Sequence, residues 1–211
     1  MRNIIVTTTF CFFSTVLYAQ YSGYTAVPDP AAFKEQFSSN SKKTESIQSD
    51  FTQEKTLSLL SEKINSKGKF WFKRENKVRM EYQQPFQYLL VMNQGEILIK
   101  DGVKETKVSS SSGKLIQQVN RITVDCVQGT VFSNPDFITK VFENKSGWLV
   151  EMTPVAKNMK ELFKNIVVII DKSDYAVQTV EMNELRGDQT KIRFLNKQLN
   201  AKIPDHLFAV R

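Results

Sequence analysis

Gly68-Lys-Phe-Trp-Phe-Lys-Arg-Glu-Asn-Lys-Val-Arg-Met-Glu-Tyr82 is the stretch that decides the architecture. Phe70, Phe72, Val78, Met80 and Tyr82 recur at every second position on either side of Lys73 to Lys77. A period of two puts alternate side chains on opposite faces of a strand, so this segment predicts two strands, each with one face buried and the other wet. The same pattern continues outward. Tyr88 to Met92 and Glu96 to Lys100 flank Asn93-Gln94-Gly95, and Asp101-Gly102 is a hairpin turn leading to Val103. Further strands are predicted at 138–143, 148–152, 166–171, 176–183, 191–195 and 207–210. Short polar turns at 144–147, 172–174 and 186–188 separate them, so the strands run antiparallel, since parallel pairing needs long crossovers.

Helical spacing appears in two places. Asp29-Pro30 supplies an N-cap and a first-turn proline, and Phe33, Phe37, Thr44 and Ile47 follow, which predicts an amphipathic helix over about 30–47. Leu115, Val119, Ile122 and Cys126 predict a second helix over 114–128 that interrupts the strands as a covering element; its β-branched residues would also suit a strand.

The N-terminus sets the compartment. Arg2 is the only charge before Asp29, and an apolar run from Ile4 to Val16 ends at Leu17-Tyr18-Ala19. This is the pattern of a secretory signal peptide, residues 1–19, cleaved after Ala19, rather than a buried strand or a retained anchor. The domain proper is then 20–211. It keeps one cysteine, Cys126, which as a lone thiol reads as a small buried hydrophobe.

Composition argues against catalysis. One histidine and two cysteines exclude zinc clusters and most histidine-dependent hydrolysis. The eight glycines never crowd together, so neither a dinucleotide fingerprint nor a phosphate loop can be written. His206 has no serine or cysteine near it in sequence, and Asp171 and Asp174 are turn formers without the glycine and distal glutamate of a calcium loop. Arg186-Gly187-Asp188 reads as a hairpin turn. The reading is a non-enzyme with no cofactor and no metal. The net charge of +7 is scattered, which favours solubility and weak attraction to anionic surfaces rather than nucleic-acid binding.

Phe51-Thr52-Gln53, Gly68 to Asn76, Gln84-Pro85 and, more loosely, Val150 to Pro154, Met159-Lys160 and Ile203-Pro204 to Phe208 follow one another along the chain. In these motifs and their order the sequence resembles the LolA-like family of periplasmic lipoprotein carriers. The resemblance implies an α+β fold: an open, incomplete antiparallel β-barrel whose helices cover a concave apolar face. It implies a monomeric periplasmic carrier that takes acylated lipoproteins from an inner-membrane ABC-type extractor and passes them to an outer-membrane acceptor. Parity and resemblance together nominate Phe70, Phe72, Val78, Met80, Tyr82 and Leu90 as the wall that touches acyl chains. Val78 and Met80 stand where the family has larger aromatic residues, and Met80 and Met92 adapt their shape readily. Arg74 matches the arginine that latches the lid. Glu75 replaces the family's proline, where an acid would pair with or compete for Arg74.

Such a carrier requires an apolar hollow beneath its helices, although wall residues and ordinary core residues read alike in sequence. Two alternatives share the fold: a lipid-sensing module of an envelope-stress regulator, and a carrier of another lipid such as a glycolipid or a hydrophobic pigment.

Overall fold

A computed structural model describes residues 21–102, 104–108, 122, 125, 126 and 128–210. The expected leader, residues 1–19, and most of the expected 114–128 helix lie outside the described residues. Within that helix, Ile122, Asp125, Cys126 and Gln128 are helical.

The N-terminal part forms β1 (Thr25–Ala26) and α1 (Ala31–Lys43). A first run of strands follows: β2 (Ser46–Leu57), β3 (Glu62–Lys73), β4 (Lys77–Gln84), β5 (Tyr88–Asn93), β6 (Glu96–Asp101) and β7 (Lys104–Val108). A second run comprises β8 (Phe137–Glu143), β9 (Gly147–Pro154), β10 (Phe163–Asp171), β11 (Val177–Glu184) and β12 (Gln189–Leu199), with one helical turn, α2 (Lys157–Lys160), between β9 and β10. Every pairing is antiparallel, in the order β1-β8-β9-β10-β11-β12-β2-β3-β4-β5-β6-β7. The two meanders are joined by β12 against β2, with Phe194 opposite Phe51. The sheet is not closed, because β1 and β7 end it without pairing to each other.

Helix α1 starts where Asp29 Oδ1 accepts the Ala31 amide at 3.1 Å. It is shorter than the spacing predicts. Thr44 is already extended, and Ile47 belongs to β2, opposite Phe72. The competing strand wins because its ladder with β3 runs unbroken from Ser46 to Leu57. The expected strand at 207–210 is also absent. Asp205–Phe208 form a 3₁₀ turn, and Phe208 is buried with Ile203, Val91 and Leu98 on the convex side.

Parity sorts the side chains between two faces, as a pleated strand requires. Phe70, Phe72, Val78, Met80 and Leu90 belong to the main core on the concave side, whereas Trp71, Leu89 and Val91 join the convex cluster beneath the C-terminal segment. A second convex cluster places Phe142, Leu149 and Val167 under Tyr21 and Tyr24.

Candidate functional site

The five aliphatic and phenyl candidates of the wall lie on three neighbouring strands in direct register. Phe70 faces Met80, Phe72 faces Val78, and Met80 faces Leu90. All five are 0–3% exposed. Tyr82 stands at the far end of this wall, where its ring meets Phe51 and Tyr88 edge-on and its hydroxyl donates to Gln53 Oε1 at 2.9 Å. Burial, and secondarily Tyr88, pushes the Tyr82 hydroxyl well above the usual tyrosine range, so it stays protonated. It is a wall residue with a polar tether.

Segments that take no part in the sheet join the wall in one buried core. Phe33 and Phe37 of α1 pack together and against Phe132, and Phe33 also lies against Trp148 at 4.6 Å between ring centroids. Ile122 and Cys126 join the same core. Burial raises the Cys126 thiol above its ordinary range, which keeps it a neutral apolar filler. Gly129 lets the two covering segments meet. Its φ is +77°, and a Cβ there would lie 2.5 Å from Ser41 Oγ.

Among the described residues, wall and cover belong to one buried core. Phe33 and Phe37 are only 1–2% exposed, and burying their rings in that core is favoured over leaving them in water. Among the described residues two polar atoms of this core are left without a partner, one of them Trp148 Nε1. Ser49, opposite Phe70, is buried, and its hydroxyl has no hydrogen-bond partner among the described residues.

Arg74 sits where wall and cover meet. Its Nε donates to the Thr44 carbonyl at 3.1 Å, and Nη2 donates to the carbonyls of Ser41, at 2.7 Å, and of Lys42. These are carbonyls at the end of α1, of which that of Ser41 also accepts the Thr44 amide at 3.2 Å, and the guanidinium adds a C-terminal cap from outside the helix. The carboxylate beside Arg74 is Glu45, at 3.0 Å from Nε, and not Glu75. Glu75 and Asn76 have φ of +69° and +60° and form the tight turn between β3 and β4, which leaves Glu75 exposed. The sequence missed Glu45, which lies far from Arg74 along the chain and carries no local signal.

A cleft of about 500 Å³ opens at this seam, lined by Ser41, Thr44, Phe72, Arg74, Gln128 and Gly129 among others. Gln128 Nε2 donates to Asn76 Oδ1 across it at 2.5 Å. The cleft runs from solvent past polar groups to Phe72, one of the wall residues. Elsewhere, Asp171 and Asp174 do form turns: Asp171 Oδ1 accepts the Ser173 amide at 2.8 Å, and Asp174 Oδ1 accepts that of Ala176 at 2.8 Å. Among the described residues no group of histidine, cysteine and carboxylate side chains could hold a metal, and no helix is long and apolar enough to cross a membrane.

Residues 42–211 match the family described as outer membrane lipoprotein carrier protein LolA. No curated protein matches the chain in sequence. Among solved structures, a chain of the Pseudomonas aeruginosa MucA/MucB complex is similar, with a TM-score of 0.52 and 12% identity over 86% of this chain and 61% of that one. A LolA superfamily protein from Nitrosomonas europaea is similar at a TM-score of 0.43, with 9% identity over 83% of this chain and 97% of that one. At 12% identity the likeness to the MucA/MucB chain concerns the fold.

Proposed function

Because the chain belongs to the family of the outer membrane lipoprotein carrier protein LolA, we propose that it is a periplasmic carrier that shields the acyl chains of lipoproteins from water between the inner and outer membranes. Membership of that family supports a lipid- or lipoprotein-binding role. The observation that carries the finer reading is the way the concave wall is covered. Phe70, Phe72, Val78, Met80 and Leu90 form one apolar surface across three strands and share a buried core with Phe33, Phe37, Ile122 and Cys126 outside the sheet, while Arg74 caps α1 at its edge.

Each exposed methylene of an acyl chain costs about 0.8 kcal/mol in water, so a lipoprotein cannot cross an aqueous gap bare. An empty carrier has the same difficulty with its own wall. Burying the wall in one core with Phe33, Phe37 and Phe132 answers it, and cargo enters by displacing these rings. Polar latches suit this exchange, since a few hydrogen bonds at the seam open at lower cost than a strand can be stripped from a ladder. The unpartnered Ser49 hydroxyl offers a donor to an ester carbonyl once a chain lies along the wall. The inner-membrane extractor and an outer-membrane acceptor are the partners this role requires.

The test is mass spectrometry of the protein purified from its native envelope, combined with depletion in cells. Copurifying acylated peptides, and lipoproteins held back at the inner membrane on depletion, are expected. Unchanged lipoprotein sorting together with altered stress transcription would replace the carrier with a sensor, and a bound free lipid without acylated peptide would replace the cargo.

A further inference from the structure

The exposed large apolar side chains are unevenly distributed. Among the described residues they are Leu59, Leu60, Phe86, Ile138, Val155, Leu185 and Leu195, and all but Leu195 lie at one end of the sheet. The register fixes this placement. Leu57 pairs with Glu62 to close the β2–β3 hairpin on Leu59 and Leu60, and Thr56 faces Gln189, which brings the β11–β12 turn with Leu185 alongside. Ser58 ties the two turns together, its amide donating to Asp188 Oδ1 at 2.9 Å and its hydroxyl to the Arg186 carbonyl at 3.2 Å. Phe86 follows β4 at the same end, and Val155 and Ile138 lie where β9 ends and β8 begins.

The opposite end provides the contrast. Its turns, Arg74 to Asn76, Gln94-Gly95, Asn144 to Ser146 and Lys172 to Asp174, are polar or glycine throughout. Tight turns have no folding need for leucine, and Leu59 is 91% exposed, Phe86 66%, Leu60 64% and Leu185 61%. Apolar tips on one rim alone therefore point to something outside the chain.

We propose that this rim docks the protein on a lipid bilayer, with Leu59 and Leu60 entering the headgroup boundary first. A bilayer fits the arrangement better than a protein does. The apolar tips are spread along the sheet order from β8 to β5 rather than gathered into one patch, so they are matched by a plane and not by a single pocket. Apart from Ile138, on β8, they are side chains on loops, which enter an interface without burying flat backbone. Lys157, Lys160 and Arg186 are exposed at the same rim, with Glu62 and Glu161 among them, in a chain of net charge +7, which suits an anionic surface. The proposal does not depend on the carrier reading; a lipid sensor would use the same rim.

The experiment places an indole at the tip by Leu60→Trp and titrates the full chain with vesicles of phosphatidylethanolamine and phosphatidylglycerol whose acyl chains are brominated. Fluorescence of the unaltered chain, from Trp71 and Trp148, is subtracted. Quenching at position 60 is local and reports insertion of this loop whatever other segments touch the vesicle. The expected results are quenching by brominated lipid, a half-saturating lipid concentration raised at least fivefold when Leu59→Ser is added, and weaker quenching with uncharged phosphatidylcholine vesicles. Both positions are exposed, so unchanged circular dichroism is expected alongside. Emission indifferent to bromine overturns the proposal, as does quenching that Leu59→Ser leaves unaltered. A photo-crosslinker at position 60 that joins only protein in cells, while vesicles leave the tip unquenched, assigns the rim to a protein partner and likewise overturns it.

Discussion

Arg74, on the turn after β3, donates from Nη2 to the Ser41 carbonyl at 2.7 Å, so the end of α1 is capped by a side chain from the wall that the helix covers. Removing this cap frees helix-end carbonyls without touching the apolar packing. Arg74 is 39% exposed, which screens its interactions, and the loss is about 1 kcal/mol, equivalent to about fivefold in the opening equilibrium. Arg74→Leu is expected to raise the labelling rate of Cys126, buried in the covered core, by that factor, while Arg74→Lys restores part of the protection. Peptide mapping of Cys126 after thiol alkylation reads the rate. Labelling as slow as in the unaltered chain would remove Arg74 from the latch.

Phe37 carries the opposite kind of prediction. It is 1% exposed and packs on Phe33 and Phe132, so truncation deletes a ring from the filled interior. Phe37→Ala is expected to cost about 3 kcal/mol in urea denaturation, within the range for phenylalanine truncation in cores. It also vacates space in the core that the wall shares, so binding of a fluorescent fatty acid is expected to tighten even as stability falls. A loss on both measurements would make Phe37 plain core.

The wall was legible in the sequence because parity alone assigns a face. Phe70, Phe72, Val78 and Met80 needed only alternation to be placed together, and Trp71 and Arg79 fell to the other side by the same rule. Leu207 to Val210 shows where the rule stops. Their composition suits a strand, yet Phe208 is buried in a convex cluster with Val91 and Leu98, a contact no local pattern contains. The partner of Arg74 is similar. Glu75 is adjacent in sequence, but the left-handed turn at 75–76 leaves it exposed, and Glu45 takes the place beside Arg74 because β2 and β3 run side by side. The core that Phe33, Phe37 and Phe132 share with the wall was hidden for the same reason: a helix's apolar stripe shows that it covers something, not which side chains it joins.

Gly68 tests the bend in the wall. It lies opposite Phe51 and Tyr82, beside an irregularity in the β3–β4 register, and a Cβ there would sit 2.1 Å from the Glu81 carbonyl oxygen and 2.7 Å from the Phe51 ring. The ring could yield, but the carbonyl belongs to the ladder. Gly68→Ala is expected to destabilise by about 2 to 3 kcal/mol in urea denaturation, the scale of overpacking strain, against the small gain that alanine ordinarily brings to a strand. A neutral result would mean that the sheet relaxes at the register shift.

The C-terminal segment gives a prediction in pH. Asp205 accepts from Lys73 Nζ at 2.9 Å and from Lys77 Nζ at 3.3 Å, and the Lys73 hydrogen bond, followed by that of Lys77, holds its carboxyl below the usual aspartate range. A carboxyl whose pKa is lower folded than unfolded contributes stability that is fully present above its unfolded value, about 3.9, and is lost as pH falls through the folded one. Attachment of residues 203–208 is therefore expected to be flat from neutral pH down to about pH 4 and to weaken below it. Amide exchange at Leu207, whose amide donates to the Pro204 carbonyl, reads this directly. Asp205→Asn should exchange faster at neutral pH and lose the acid step, whereas a step surviving in that variant would assign it to another carboxylate.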